Sequence, residues 1–172
     1  MHEVIDKFFK RVKEQNLELG NLMAEEEIVV KIVDSIVEDE LQNANNYRFK
    51  ETVKYKILVI RLKKIIVKAL KFIIESLVYS DFSIEGTEIE FDKKGQYKPI
   101  EMVLEDGKRL EIVGKIDRID TAKSEDGNYL RIIDYKSSAK NIDLNEVYAG
   151  LQIQLLTYLD AVCKEEELLP AG

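Results

Sequence analysis

The sequence contains little cysteine, proline or glycine and no tryptophan, and these shortages limit the kinds of structure that the chain can form. The single cysteine among its 172 residues, Cys163, cannot form an internal disulfide, which is typical of a reducing compartment. There is no tryptophan, the prolines are Pro99 and Pro170, and Gly20 is the one glycine before residue 86. The first half of the chain therefore has almost none of the residues that usually interrupt helices.

Long hydrophobic runs are also missing. The most apolar stretch, Ile65 to Val78, contains Lys68, Lys71 and Glu75, so we do not expect it to span a bilayer. The N-terminus lacks the basic start and apolar core of a secretory signal. No glycine-rich Walker loop occurs, so ATP would be handled elsewhere. Together with the cysteine content, these absences favour the cytoplasm and no membrane partner.

The charge is negative overall but unevenly distributed. A net charge of −7 argues against a free-standing, high-affinity nucleic-acid binder, because neutralising phosphates normally requires an excess of basic residues. Acids cluster at residues 25–27 and 38–40, whereas nine Lys or Arg and a single acid lie between Arg48 and Lys71. The overall acidity therefore does not exclude a local basic surface.

The first half of the sequence has the apolar period of helices. The pattern predicts a first helix over about residues 2–16 and a second around Ile28 to Val37 that ends near residues 43–46. A third, long helix is predicted over Phe49 to Tyr79, because its length and 3.6-residue period outweigh its β-branched content. A row of basic residues either tracks a DNA backbone along this helix or forms a solvated face, the commoner case: Lys50, Lys54, Arg61, Lys64, Lys68 and Lys71.

From Phe82 onward the period changes to two. The predicted strands are Glu88 to Phe91, Ile100 to Leu104, Arg109 to Thr121 and Tyr129 to Tyr135, separated by turns at residues 105–107 and 126–127. A final helix over about Leu144 to Lys164 is signalled by Asp143 as N-cap and Glu146 three residues later. The order indicates an α+β fold, with a mixed sheet that contains an antiparallel meander and a C-terminal helix packed on it.

These elements predict one domain over residues 1–172. It comprises a mainly helical part, residues 1–80, a sheet with the functional motifs, residues 82–136, and a helix, residues 143–165. Leu168 to Gly172 reads as a turn leading into a further strand. We therefore interpret the chain as a domain excised from a larger protein.

Two segments combine acids and a lysine in a pattern that suggests chemistry. Residues two apart in a strand share a face, so Asp134 and Lys136 point the same way. If the preceding turn is centred near Asp126, paired positions have numbers that sum to about 251 to 253, which places Asp117 opposite the stretch from Asp134 to Lys136. Directly opposed side chains have Cβ atoms about 5 Å apart, close enough for two carboxylates to share one divalent cation.

Such a cation would explain the acids. Carboxylates flanked by Ile and Val are costly to bury unpaired, and Mg²⁺ or Mn²⁺ would neutralise both. The ion can polarise a phosphoryl oxygen and activate water, while Lys136 positions that water or balances charge on the phosphate. The alternative is a surface strand with an ordinary Asp134–Lys136 ion pair.

Three other acids lie nearby in the predicted sheet. By parity Asp120 faces away from Asp117, so we interpret it as structural, with Arg118 as a candidate partner. Glu88 and Glu90 either contribute a further carboxylate or lie on a solvated strand face.

Three motifs in succession resemble those of a known family. Gly114-Lys-Ile-Asp117, Asp134-Tyr-Lys136 and Gln154-Leu-Leu-Thr-Tyr158 resemble the motifs of the RecB-like branch of the PD-(D/E)XK nucleases, and the likeness is strongest to AddB-type domains. The resemblance covers most of the chain and implies an α/β/α, restriction-endonuclease-like fold. It also implies that His2, the sole histidine, joins the metal ligands together with the backbone carbonyl of Tyr135. Gln154 and Tyr158 would flank the catalytic site.

Each of these implied roles has a plainer alternative. His2 could be solvated, and Gln154 and Tyr158 could be polar positions at the edge of a helix–sheet contact. Some members of the family carry four cysteines that hold an iron–sulfur cluster. Cys163 alone cannot build one, so such a cluster would need cysteines outside this chain.

The resemblance implies a metal-dependent deoxyribonuclease. On this interpretation it is the exonuclease domain of an ATP-dependent helicase–nuclease of double-strand break repair and recombination. Its partners would be DNA, as a single strand at the site, and an AddA-type helicase–nuclease protein. The alternatives are a catalytically silent DNA-binding or scaffolding domain of the same fold, and a stand-alone RecB-like exonuclease of CRISPR or phage type.

Overall fold

The computed structural model of the protein describes residues 1–43, 52–125, 127–136, 143–163 and 169–170. The chain divides into two compact units, residues 1–81 and 82–172. This boundary coincides with the change of hydrophobic period at Phe82. The first unit is helical and the second contains the strands.

The helical unit contains α1 (His2–Glu14), α2 (Leu19–Ala24), α3 (Glu26–Asn43) and α4 (Val53–Val78). The three predicted helices are confirmed, and α2 was missed because six residues are too few to show a helical period. Residues 49–51, at the predicted start of the long helix, lie outside the described residues. None of the described helices combines the length and apolarity that a bilayer crossing requires.

Apolar side chains at helical spacing form the core of this unit. The fully buried ones are Ile5, Phe8, Leu22, Val29, Val33, Ile36, Ile66, Leu70 and Ile74. Burying each such side chain contributes about 1.5–3 kcal/mol to the free energy of unfolding, which offsets the modest helix propensity of Val and Ile.

Ion pairs join the helices around that core. Arg11 of α1 lies 2.7 Å from Asp39 of α3, and Lys71 of α4 lies 2.8 Å from Glu26 of α3. The acidic runs noted in the sequence are thus partly neutralised by neighbouring basic residues. Of the basic row on α4, Lys64 and Lys68 are exposed, and Lys50 lies outside the described residues.

The second unit contains β1 (Ser83–Phe91), β2 (Ile100–Val103), β3 (Arg109–Ile112), β4 (Gly114–Ser124), β5 (Gly127–Ile133) and β6 (Leu169–Pro170). Strands β1, β4, β5 and β6 form one sheet in that order, in which β6 is parallel to β5 and the other pairs are antiparallel. The α+β class with a mixed sheet is therefore confirmed.

One predicted strand is wrong in detail. The single strand expected over Arg109 to Thr121 is broken at the exposed Val113 into β3 and β4. The break lets β3 pair with β2 in a separate two-stranded sheet, while β4 enters the main sheet between β1 and β5. Period-two alternation continues across the break, so the sequence pattern cannot reveal it.

The predicted continuous helix over residues 143–165 is also wrong. The described part forms two helices, α5 (Leu144–Tyr148) and α6 (Gln154–Cys163). Between them Gly150 has a φ of +76°, a left-handed conformation that glycine adopts readily and that ends a helix. The N-cap is confirmed, since the side chain of Asp143 accepts a 2.8 Å hydrogen bond from the N–H of Asn145.

Helix α6 packs on the main sheet, as predicted for the C-terminal helix. Its buried residues Tyr158, Ala161 and Val162 join an apolar cluster with Ile116 and Leu130 of the sheet. This packing brings the first turn of α6 to the end of β5, where the acidic motif lies.

Candidate metal centre

The pairing of β4 with β5 places the two predicted acids in register. Arg118 pairs with Ile133 and Ile119 with Ile132, so Asp117 and Asp134 are the next pair, just beyond the end of β5. This register lies within the range predicted from the position of the turn. Because opposed residues of antiparallel strands project to the same face, both acids belong to one side of the sheet.

The carboxylate of Asp117 reaches across to the neighbouring chain segment. Its Oδ2 accepts a 2.7 Å hydrogen bond from the backbone N–H of Tyr135, the residue after Asp134. The two oxygens of a carboxylate can accept several hydrogen bonds or ligands, so this bond is compatible with metal binding.

Asp134 and Lys136 form an ion pair on the predicted common side. The Nζ of Lys136 lies 2.5 Å from Oδ2 of Asp134, whose side chain is 10% exposed against 45% for the lysine. The hydrogen bond to Asp134 raises the pKa of Lys136 above its ordinary value. The lysine is therefore an ammonium ion at neutral pH, with its charge next to the acid.

The first two turns of α6 supply the remaining predicted side chains. Gln154 accepts a 2.9 Å hydrogen bond from Lys136 through Oε1, and its Nε2 lies 2.6 Å from the hydroxyl of Tyr158 and 3.4 Å from Oδ1 of Asp134. The structure thus brings Asp134, Lys136, Gln154 and Tyr158 into one network. Gln154 and Tyr158 are one turn apart, which places both on the same side of the helix.

A glycine and an aromatic ring hold α6 at this position. A Cβ on Gly114 would lie 2.6 Å from Cζ of Phe91, a contact that real side chains do not make. The ring of Phe91 packs edge-on against Tyr158 with centroids 5.7 Å apart. The glycine of the Gly-x-x-Asp motif is therefore needed for the close approach of β1 that seats Tyr158.

Glu88 of β1 is a further acid beside Asp117. Thr87 pairs with Arg118 and Ile89 with Ile116, so Glu88 is the residue across from Asp117. Its carboxylate oxygen and one of Asp117 lie within 4.8 Å of each other. Glu88 also forms a 2.5 Å ion pair with Lys115 and has a φ of +54°, a strained conformation for a residue other than glycine.

The sequence pattern does not single out Glu88. Glu88 and Glu90 are equal candidates for a further carboxylate ligand, because the pattern does not predict the register of β1 on β4. The two strands are joined through residues 92–113, which include the β2–β3 pair, so no short turn fixes their alignment. Tertiary pairing alone selects Glu88 over Glu90.

The opposite side of β4 carries a buried charge network. Asp120 is 0% exposed and lies 2.8 Å from both Arg118 and Arg131. Nε of Arg118 lies beside Oδ1 of Asp120 as part of the ion pair, and Nη2 donates a 2.9 Å hydrogen bond to Oδ2. The predicted pairing of Asp120 with Arg118, away from Asp117, is confirmed.

Other residues considered in the sequence include His2, Cys163 and the two serines after Lys136. His2 is the first residue of α1 and belongs to the helical unit. Cys163 is partly buried against the sheet core, and burial raises the pKa of its thiol, in keeping with a packed side chain. Ser137 and Ser138, which end the acidic motif, lie outside the described residues.

The donor set suits a hard divalent cation. Carboxylates and main-chain carbonyls are the oxygen ligands that Mg²⁺ and Mn²⁺ prefer, and Asp117, Glu88 and Asp134 supply carboxylates on adjoining strands. Lys136 offers a positive charge next to them. A divalent cation held by these acids, together with the ammonium group of Lys136, would be complementary in charge to a phosphate group.

Comparison with known proteins gives a consistent result. Residues 1–172 match the family model of the PD-(D/E)XK nuclease superfamily. The chain is also similar to proteins named as the B component of an ATP-dependent helicase/deoxyribonuclease: 37% identical to that of Acetivibrio thermocellus, 38% to that of Ruminiclostridium cellulolyticum and 39% to that of Clostridium novyi. Each match covers 100% of this chain and 15%, 15% and 16% of the respective relative. The chain therefore spans about a sixth of the length of these relatives.

Proposed function

Because the chain belongs to the PD-(D/E)XK nuclease superfamily, we propose that it forms one nuclease domain that hydrolyses DNA phosphodiester bonds with a divalent metal ion. The observation that carries the proposal is the register that sets Asp117 across from Asp134, with Lys136 paired to Asp134 on the same side. The donor chemistry of these residues fits a hard cation and a phosphate.

The proposed metal ligands are the carboxylates of Asp117 and Asp134 and the backbone carbonyl of Tyr135. Glu88 joins this set because its carboxylate lies close to that of Asp117. His2 is included on the family resemblance. Mg²⁺ or Mn²⁺ held by these residues would supply Lewis acidity toward the phosphate and would make water a better nucleophile.

Lys136 is the proposed catalytic cation. Its ammonium group donates hydrogen bonds to the attacking water or to a phosphate oxygen, where negative charge develops as the phosphodiester is cleaved. Gln154 holds Nζ of Lys136 through its Oε1, and Tyr158 holds the amide of Gln154. Each link removes freedom from the lysine, so the ammonium group is oriented before DNA binds.

The parent protein sets the context of the proposal. The relatives are named as one component of an ATP-dependent helicase/deoxyribonuclease. We propose that this chain acts in such an enzyme as an exonuclease domain in double-strand break repair and recombination, in the cytoplasm. A helicase with an AddA-type partner would deliver a single DNA strand to it. Any iron–sulfur cluster would take its thiolates from cysteines other than Cys163.

An Asp134→Asn exchange tests the proposal. We expect cleavage of end-labelled single-stranded DNA to require Mg²⁺ or Mn²⁺, and to fall at least a hundredfold in the variant, as typically follows loss of one electrostatic catalytic group. Asp106→Asn is the matched control, because Asp106 forms the same acid-x-lysine pair with Lys108, at 2.7 Å, on the turn after β2.

The outcomes separate the rival functions. Full activity of Asp134→Asn would refute the site. DNA binding by the unaltered protein without cleavage under any divalent metal would favour the catalytically silent module. Cleavage by the full-length protein without a helicase partner or ATP would favour a stand-alone exonuclease.

A further inference from the structure

A cleft of about 530 Å³ opens beside the candidate metal centre, entirely within the second unit. Its polar lining residues are Asp134, Lys136, Gln152 and Gln154. The rest of the lining is an apolar wall formed by Ile132, Ile133, Leu144, Val147, Leu151, Leu155 and Leu156. The cleft therefore combines part of the charged network with a larger apolar surface.

The apolar wall is unusually exposed. Leu144 and Leu151 line the cleft and are 78% and 74% exposed, and no residue of α5 is buried. Side chains of this kind gain free energy when an apolar surface covers them. The wall shares the cleft with Lys136 and Asp134, which suggests a ligand that is charged in one part and apolar in another.

A nucleotide of single-stranded DNA has that character. Its phosphate is anionic, which complements Lys136 and a metal-loaded acidic centre, and its base presents flat apolar faces. In a duplex the base is stacked and paired, whereas in a single strand it can be turned out at little cost. The geometry of the cleft thus matches a strand whose phosphate lies at the metal centre.

We infer that the cleft holds one unstacked base adjacent to the phosphate being cut, against Leu144, Val147, Leu151 and Leu155. The inference depends on the proposed nuclease function, which supplies the position of the phosphate. It adds to that function a binding site for one base, which is turned out of the strand into an apolar pocket.

The pocket accepts any base. Both glutamine amides in its lining are engaged within the protein, Gln152 with Asp143 and Glu146, and Gln154 with Lys136 and Tyr158. The contact with the base is therefore mainly apolar, and apolar contact with a base face discriminates little between sequences. Such tolerance suits an enzyme that degrades DNA of any sequence.

The test uses an abasic nucleotide in place of one base. Single-turnover cleavage by the full-length protein is measured with Mn²⁺ on a labelled oligothymidine and on versions that carry one abasic residue at successive positions. We expect the bond next to the abasic residue to be cut about tenfold more slowly, equivalent to withdrawing roughly 1.4 kcal/mol of apolar contact. The double variant Leu144→Ala/Leu151→Ala should cut both substrates at the same reduced rate.

Leu110→Ala is the matched control, because Leu110 is also an exposed leucine but lies on β3, away from the cleft. It should keep the tenfold difference. The base pocket would be overturned if the unaltered protein cut both substrates at equal rates. It would also be overturned if the double variant kept the tenfold difference. Either result is the one expected if another part of the full-length protein covers the cleft.

A measurement of DNA binding distinguishes a failure of the base pocket from a failure of the proposed nuclease function. Fluorescence anisotropy with Asp134→Asn protein, which leaves the strand intact, compares affinity for normal and extensively abasic oligonucleotides without turnover. Weaker binding of the abasic strand that depends on Leu144 and Leu151 supports the pocket even if cleavage is absent. Equal binding of both strands refutes it even if metal-dependent cleavage is present.

Discussion

The backbone N–H of Tyr135 donates a 2.7 Å hydrogen bond to Oδ2 of Asp117. The hydroxyl of the same tyrosine accepts a 2.9 Å hydrogen bond from Nη1 of Arg118 on the other side of the sheet. Tyr135 is thus fixed at its backbone by one candidate ligand and at its side chain by the buried pair of Arg118 and Asp120. This arrangement holds the peptide whose carbonyl we propose as a metal ligand.

A Tyr135→Phe exchange should weaken both the fold and the metal site. It removes the acceptor for Arg118, and losing a partly buried hydrogen bond of this kind costs about 1 kcal/mol of the free energy of unfolding. Because the backbone at residue 135 is then held less firmly, we also expect severalfold weaker Mn²⁺ binding. Urea unfolding and Mn²⁺ calorimetry measure the two effects, with Tyr148→Phe, at an exposed tyrosine on α5, as control. Unchanged Mn²⁺ affinity would show that the hydroxyl has a structural role only.

An Arg118→Leu exchange should be strongly destabilising. Asp120 is completely buried, and its negative charge is paired with two arginines. Removing Arg118 leaves this buried carboxylate with one positive partner. Breaking a buried ion pair in this way typically costs about 3–5 kcal/mol. Urea unfolding should show a larger loss than for Arg131→Leu, since Arg131 is only half-buried. A loss below that of Arg131→Leu would contradict this account of the network.

A Lys136→Gln exchange should lower the rate of cleavage and spare metal binding. The lysine provides positive charge toward the phosphate, so removing it should reduce kcat by about a hundredfold or more. Mn²⁺ affinity, measured by calorimetry, should change little or rise, because a neighbouring cation is lost. Lys108→Gln is the matched control, since Lys108 forms the equivalent pair with Asp106. A pure loss of Mn²⁺ binding would be incompatible with the role assigned to Lys136.

A Glu88→Gly exchange should separate stability from metal binding. Glycine adopts the positive φ of position 88 without strain, so we expect the free energy of unfolding to fall little or to rise by up to about 1 kcal/mol. Mn²⁺ affinity should nevertheless fall, because the carboxylate next to Asp117 is gone. In Glu90→Gly, at a regular strand position, stability should fall and Mn²⁺ affinity should remain. Retained Mn²⁺ affinity in Glu88→Gly would remove Glu88 from the ligand set.

The parts of the site that could be predicted are those that depend on neighbouring segments. The pairing of β4 with β5 follows from a short turn, and in a strand the side of the sheet follows from parity alone. Asp117, Asp134 and Lys136 could therefore be placed together from their numbers. Spacing of one helical turn likewise put Gln154 and Tyr158 on one side of α6.

The parts that could not be predicted depend on distant segments or on local breaks in a continuing pattern. The position of Glu88 depends on how β1 pairs with β4 across residues 92–113, which no short turn constrains. The break at Val113 and the end of α5 near Gly150 leave the apolar period intact on both sides, so the pattern continues through them.

By itself the sequence determined the class of the fold, the family motifs and the register of the central hairpin, because hydrophobic period and short turns are local properties. Only the tertiary structure decided that Glu88 faces Asp117, that Gly114 and Phe91 seat Tyr158 beside the acids, and that an apolar cleft opens from Lys136. These relationships join residues far apart in the chain. They depend on packing between strands and helix, which a single sequence does not encode in any local pattern.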